Sequence, residues 1–214
     1  NETILAQSLL NGLMAGWIYV LVALGLTLVL SIMGIVNLAH GQIYMLGAYG
    51  AFYLCAEFGL NFFLSIVAAT VLGGLFGIVV ERVLLRPFRH GEFIRTIVMI
   101  MGLSTFIENG AAIGFGTTTR VFPNVLPGVI TAAGVTLSLQ RLLAIGAAIL
   151  LFLVLMVVVN WTKTGQAMIA VSEDLEVAAL QGIDADRISS IAMFLGCGMA
   201  SAAGALMGAI FSVD

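Results

Sequence analysis

The chain alternates long apolar runs with short charged stretches. Residues 3–56 contain no Asp, Glu, Lys or Arg, and further charge-free runs cover 58–80, 96–107, 142–162 and 188–213. A helix needs about 20 apolar residues to cross a ~30 Å hydrocarbon core. The first run is long enough for two such helices with a tight turn between them. Each of the others supplies one. The pattern predicts six spans at roughly 5–31, 38–56, 62–81, 96–116, 142–160 and 188–212. The runs are continuous and lack the ~10-residue alternation of membrane barrel strands. The expected fold class is an all-α, polytopic transmembrane helical bundle forming one domain over 1–214.

Composition narrows the function classes. Of 214 residues, 61% are hydrophobic and 9% charged, where soluble domains carry about 25% charge. Eight basic and eleven acidic residues cannot clothe a soluble globule. A soluble enzyme, a nucleic-acid binder and a disordered chain are therefore excluded. Cys55 and Cys197 sit in apolar runs and read as buried thiols. With two histidines, His40 and His90, they make no metal-ligand set, so no metal is expected. The sequence holds no phosphate-binding Gly-x-x-x-x-Gly-Lys-Ser/Thr loop, no Gly-x-Ser-x-Gly and no His-Glu-x-x-His, so no ATP chemistry or hydrolase activity is expected of this chain itself. No basic stretch precedes the first run, which is expected to be retained.

Charge also orients the bundle. Arg82, Arg86, Arg89, Arg95, Lys163 and Arg187 fall on one side of the six spans, and Arg120 and Arg141 on the other. Positive residues favour the cytoplasmic side, which puts the N-terminus outside. Trp161 and Phe88 then suit the inner interface, and Phe62 and Phe63 the outer one. The outer loop, 117–140, with Pro123, Pro127 and Gly128, reads as a compact excursion. The inner loop, 161–187, reads as a short helix. Ser172 is its expected N-cap, Glu173 and Asp174 sit in its first turn, and Gly182 ends it. Asp184 then caps the last span.

Four local features carry candidate function. Gly34-Ile35-Val36-Asn37-Leu38-Ala39-His40-Gly41-Gln42 sets polar and helix-breaking residues between two spans. Such a segment either makes a tight packed turn or lines a solute path. Asn37, His40, Gly41 and Gln42 are the candidate path residues. The inner helix puts Leu175, Ala178, Ala179 and Leu180 beside Glu173, Asp174 and Glu176. An acidic face avoids anionic lipid and suits a basic protein groove, the alternative being a solvated linker. Gly196, Ala200, Gly204, Gly208 and Ser212 recur every four residues in the last span. They form a flat ridge for close helix packing, within the chain or between subunits. Gly12/Gly16, Gly73/Gly77 and Gly110/Gly114 repeat the spacing. Glu108 is an acidic residue inside a span. It serves either as a coupling group in a stand-alone channel or ion-coupled transporter, or as a residue near the outer water.

These motifs together resemble a known family, the LivH-like inner-membrane permeases of branched-chain amino acid ABC importers. Asn37-Leu38-Ala39-His40-Gly41-Gln42-Ile43-Tyr44-Met45 resembles the segment after that family's first span. Glu81-Arg82 with Arg86-Pro87-Phe88-Arg89 resembles its first cytoplasmic loop. Thr164-Gly165-Gln166-Ala167, Glu173-Asp174-Leu175, Ala178-Ala179-Leu180 and Gly182-Ile183 resemble its coupling loop, and Ala203-Gly204-Ala205 with Gly208 the following span. Gln166 and Ile169 are neutral where the family commonly carries arginine. The resemblance implies alternating access driven by separate cytoplasmic ABC ATPase subunits. These use ATP, and no cofactor binds this chain. It implies a second permease subunit and a periplasmic solute-binding protein as partners, in a bacterial inner membrane. It assigns ATPase contact to Glu173, Asp174, Leu175, Ala178, Leu180 and Gly182. Family members continue with further membrane helices, so a longer parent is expected.

Overall fold

The computed structural model describes residues 2–88, 93–116, 120–121, 128–132, 135–210 and 212–213. Its helices are α1 (Glu2–Met33), α2 (His40–Ala56), α3 (Phe62–Val80), α4 (Phe93–Phe115), α5 (Leu139–Trp161), α6 (Lys163–Glu173), α7 (Leu175–Leu180) and α8 (Ala185–Ile210). A π-turn (Glu81–Leu85) and a 3-10 turn (Arg86–Phe88) extend α3. The fold is the expected all-α helical bundle, and two short antiparallel ribbons lie in its connections: β1 (Arg120–Val121) with β4 (Ser212–Val213), and β2 (Val129–Ala132) with β3 (Val135–Ser138). Each of the six expected spans falls on a helix. Among the described residues, α1, α3, α4, α5 and α8 are long and apolar enough to cross a membrane. At 17 residues, α2 reaches only about 25 Å.

The bundle is organised around α8. In its most apolar 18-residue stretch, 78% of residues are buried, against 17% to 33% in the other four spans. Small residues are the cause. In lipid, helix association relies on close backbone packing rather than on a hydrophobic driving force, and α8 offers backbone on several sides. Gly196 lies against Gly25 and Val29 of α1, and Gly204 against Tyr44 and Ala48 of α2. Gly77 of α3 lies against Met193 and Cys197, and Gly73 against Ser201. A Cβ at Gly25 would stand 2.6 Å from the Gly196 carbonyl oxygen. Ala200 and Gly208 are also buried, while the Ser212 side chain lies outside the described residues. Gly12, Gly16, Gly110 and Gly114 share the spacing but have open space where a side chain would stand.

Interhelical bonds fix the two ends. Arg141, at the start of α5, donates to Asn11 Oδ1 of α1 at 3.3 Å. Gln140 Nε2 donates to the Ala209 carbonyl near the end of α8 at 2.8 Å. At the opposite end, Arg86 contacts Asp186 at the start of α8. The basic residues 82, 86, 95, 163 and 187 therefore gather at one end, and Arg141 at the other.

Three local expectations are corrected. Phe62 is buried in the core rather than anchoring an interface, because Asn61 caps α3 and turns it inward; Phe63 beside it is exposed. Ser172 lies inside α6, where its hydroxyl bonds back to the Ile169 carbonyl. Asp174 is the residue that caps the short helix, accepting from the Glu176 and Val177 amides at 2.9 and 3.0 Å. The inner segment therefore holds two helices, with Thr162 capping α6 through the Gly165 amide. Asp184 does cap α8, through Asp186 and Arg187. Trp161 is 83% exposed, as an interfacial anchor requires. Pro123, Pro127, Arg89 and His90 lie outside the described residues.

Candidate functional site

The break between α1 and α2 buries Asn37, Ala39 and His40 in the bundle. Gly34, at φ +66, ends α1 in the left-handed conformation that glycine adopts without steric cost. Asn37 then folds the chain back: its Oδ1 accepts from the Ala39 amide at 3.2 Å, and its carbonyl from the His40 amide at 3.0 Å. Its side-chain amide points at Cys197 Sγ, 4.0 Å away. Cys197 is about 18 Å along α8 from its first residue, at ~1.5 Å per residue. His40 Nε2 sits 3.2 Å from the Val22 carbonyl oxygen, about 16 Å back from the end of α1. Asn37 and His40 thus reach mid-depth, while Gly34, Val36 and Leu38 of the same segment are exposed, and the late start of α2 explains why it is short. Unwound backbone at such depth is tolerated only when buried in protein or facing water.

The four path candidates divide between two faces. Asn37 and His40 are buried, and His40 Nδ1 has no hydrogen-bond partner among the described residues. Gly41 is exposed and Gln42 half-buried on the other side of α2. His40→Leu should remove the tie to α1 at a cost of about 1 kcal/mol. Solute uptake and melting measured on the same variant separate the roles: a lower melting temperature with unchanged kinetics assigns His40 to packing.

The second cluster lies at the basic end. Glu81 is fully buried at the end of α3. The π-turn places Arg86, five residues on, over its carboxylate. Nε donates to Oε1 and Nη2 to Oε2, each at 3.0 Å. Ser190 of α8 donates to Glu81 Oε2 at 2.7 Å and accepts from Arg86 Nη2 at 2.9 Å. Arg86 Nη2 also reaches the Asp186 carbonyl at 3.1 Å. Beside the cluster is a cleft of about 530 Å3, its rim carrying Arg82, Asp184 and Arg187 and its wall Ile78, Ile191 and Phe194. The pattern reading did not bring these residues together. Helix faces are read at spacings of three and four, and a spacing of five pairs residues only across a π-turn.

The third element is α7. Ala178 is buried against Ile32, Met168, Val171, Ile188 and Ala192. Leu175, Val177 and Leu180 are exposed, as are Glu173, Asp174 and Glu176. The helix closes with Ile183 N–H to the Ala178 carbonyl and Gly182 N–H to the Ala179 carbonyl, with Gly182 at φ +82. This is a Schellman closure, and Ile183 packs back on the Ala178 cluster. Of the expected coupling residues, Ala178 and Gly182 hold the helix in place. Glu173, Asp174, Leu175 and Leu180 face out.

The sequence matches, over residues 8–214, the family described as branched-chain amino acid transport system / permease component. The chain belongs to this family. The permease is similar to the high-affinity branched-chain amino acid transport system permease protein BraD of Pseudomonas aeruginosa. The two are 31% identical over 97% of this chain and 72% of the relative. The corresponding LivH proteins of Salmonella typhimurium and Escherichia coli K12 are 30% and 31% identical, over 97% of this chain and 71% of each relative. No solved structure matches the permease significantly. Family and helices together make it a multi-pass membrane transport subunit. They support this reading over that of a stand-alone channel or ion-coupled transporter. Glu108, the residue that the channel reading needs, is exposed in the later half of α4.

Proposed function

We propose that the permease carries branched-chain or related small amino acids across the plasma membrane as one subunit of an ATP-driven importer. Separate ATPase subunits dock on α7 from the cytoplasm, a solute-binding protein delivers the amino acid from outside, and a second permease subunit completes the path. The observation that carries this reading is the two-sided construction of α7. Ala178 is held in the bundle, while Leu175, Val177, Leu180 and Glu176 of α7, with Glu173 and Asp174 just before it, are exposed at the basic end. That end is cytoplasmic by its excess of Arg, which puts the N-terminus outside. An acidic, apolar surface there suits a basic protein groove better than anionic headgroups. The relatives, named for high-affinity branched-chain amino acid transport, supply the substrate class.

In the path, Gly41 and Gln42 face the solute, while Asn37 and His40 hold the broken segment that presents them. A glutamine amide at mid-depth is costly against hydrocarbon and satisfied against water or protein.

The test is purification of the full transporter in mild detergent, followed by leucine uptake in liposomes with ATP inside. ATPase subunits should co-purify in stoichiometric amount. Leu175→Arg, which leaves the bundle core untouched, should lower uptake at least tenfold and weaken ATPase retention. Normal uptake by that variant would remove α7 as the docking element. Uptake by the permease alone, without ATP and lost on Glu108→Gln, would replace the importer reading altogether.

A further inference from the structure

We propose that Glu81, Arg86 and Ser190 form a transmission joint that makes α3 and α8 move as one body when α7 is displaced. The inference rests on the proposed docking of ATPase subunits on α7 and names the residues that carry their stroke into the membrane.

Between α7 and α8 lie only Gln181, Gly182, Ile183 and Asp184. This link is closed at both ends: the Schellman bonds fix it to α7, and the Asp184 carboxylate fixes it to the first amides of α8. A displacement of α7 is therefore delivered to the start of α8 rather than absorbed by a loose turn.

At that start, α8 is joined to α3 by polar bonds. Ser190 and the Asp186 carbonyl belong to α8, and Glu81 and Arg86 to the extension of α3. Glu81, Arg86 and Ser190 close a triangle of contacts at 2.7, 2.9 and 3.0 Å. Arg86 pairs with Glu81 within the α3 extension, so moving either helix alone would leave that pair intact but break its three bonds to α8, those to Ser190 and to the Asp186 carbonyl. Those bonds are made to a buried ion pair, and leaving its polar atoms unsatisfied costs more than moving both helices together. Along the rest of the α3–α8 contact, Gly73 and Gly77 give a close seam along Ser201 and Cys197, where the Ser201 hydroxyl donates to the Ala69 carbonyl of α3 at 2.7 Å. The joint adds charge-assisted bonds to that one at the end of the seam where α7 delivers its displacement.

The π-turn supports this role. An α-helical continuation would place the residue five positions on from Glu81 on another face. The inserted residue brings Arg86 back over Glu81, and such insertions commonly occur at functional positions. These are positioning residues: none of them needs to touch solute or nucleotide.

The experiment uses the complete transporter reconstituted in liposomes, with labelled leucine and simultaneous ATP hydrolysis. Ser190→Ala removes the bridging hydroxyl but leaves the Glu81–Arg86 pair. Arg86→Lys keeps the charge opposite Glu81, yet one ammonium cannot reproduce the bidentate fork and also reach the Asp186 carbonyl. Both variants should retain the ATPase subunits and their basal hydrolysis, while leucine moved per ATP falls at least tenfold. Ser190→Thr, which keeps the hydroxyl, should restore the ratio to within twofold of the parent. Wild-type leucine-to-ATP ratios in both Ser190→Ala and Arg86→Lys would overturn the joint. So would a loss of uptake matched by an equal loss of assembled complex, which would mark a purely structural bond. Failure of the parent itself to bind ATPase subunits would overturn the underlying importer reading, and is seen before any variant is made.

Discussion

Replacing Gly204 with valine is expected to prevent stable folding. Gly204 of α8 lies directly on the α2 backbone, where a side chain would run into the Tyr44 carbonyl. The obstacle is main chain, so no rotamer change relieves it. The helices must separate along the whole seam that also holds Gly47 against Ser201. Overpacking a core typically costs 1–3 kcal/mol, and a rigid backbone neighbour puts this case at or above about 3 kcal/mol. The measurement is thermal unfolding in detergent, with the yield of monodisperse protein. Gly16→Ala is the matched control: a Cβ there meets nothing within 4 Å, so its effect should stay within about 0.5 kcal/mol. Equal melting temperatures for Gly204→Val and the parent would mean that α2 and α8 are not in backbone contact.

How far the sequence predicts this structure depends on the physical signal involved. The spans were legible because hydrocarbon imposes a length and excludes charge, and both are read directly from runs such as 142–162. The importance of α8 was legible from the four-residue recurrence of small side chains. Which helices it would touch was not, since a glycine spacing is the same whether or not a partner lies opposite. Gly73/Gly77 faces α8 and Gly110/Gly114 faces open space, with nothing in the local pattern to separate them. The depth of Asn37 and His40 was hidden for a related reason. Hydropathy marks where a helix breaks but not whether the broken segment turns out to the interface or back into the bundle. The cap of α7 was missed by two residues because Ser172 and Asp174 are both good caps. The choice fell to Asp174 once Thr162 had started a separate helix upstream.

The joint at Glu81 was the least legible element, and it carries a general point about this bundle. Its members lie more than a hundred residues apart, from 81 to 190, and each alone reads as loop or helix-face chemistry. Two kinds of contact alternate along α8 as a result. Small-residue seams at Gly196 and Gly204 allow neighbours to approach and slide, while polar bonds at Ser190, Ser201 and the Ala209 carbonyl hold chosen neighbours in register. A transport subunit needs both, because helices that are all locked cannot alternate and helices that are all smooth cannot be driven.

The second large effect is expected at Ala178, on the inward face of α7. Ala178→Asp would place a carboxylate among the apolar side chains of Ile32, Met168, Val171, Ile188 and Ala192. Burying an unpaired charge costs several kcal/mol, more than a six-residue helix can return through its own packing. The cheaper response is local: α7 leaves its seat and the charge reaches water, while the spans stay folded. The melting temperature of the bundle should therefore change by only a few degrees, yet leucine uptake should fall about a hundredfold or to background. Limited proteolysis should reveal new cleavage between 174 and 184. Leu180→Asp, at a side chain 87% exposed on the outward face, makes the opposite prediction. It should leave cleavage and melting as in the parent while weakening retention of ATPase subunits. If Ala178→Asp transported leucine normally, α7 would not need its seat in the bundle. The path from ATPase to α8 would then have to run through α6 and the Thr162 cap instead.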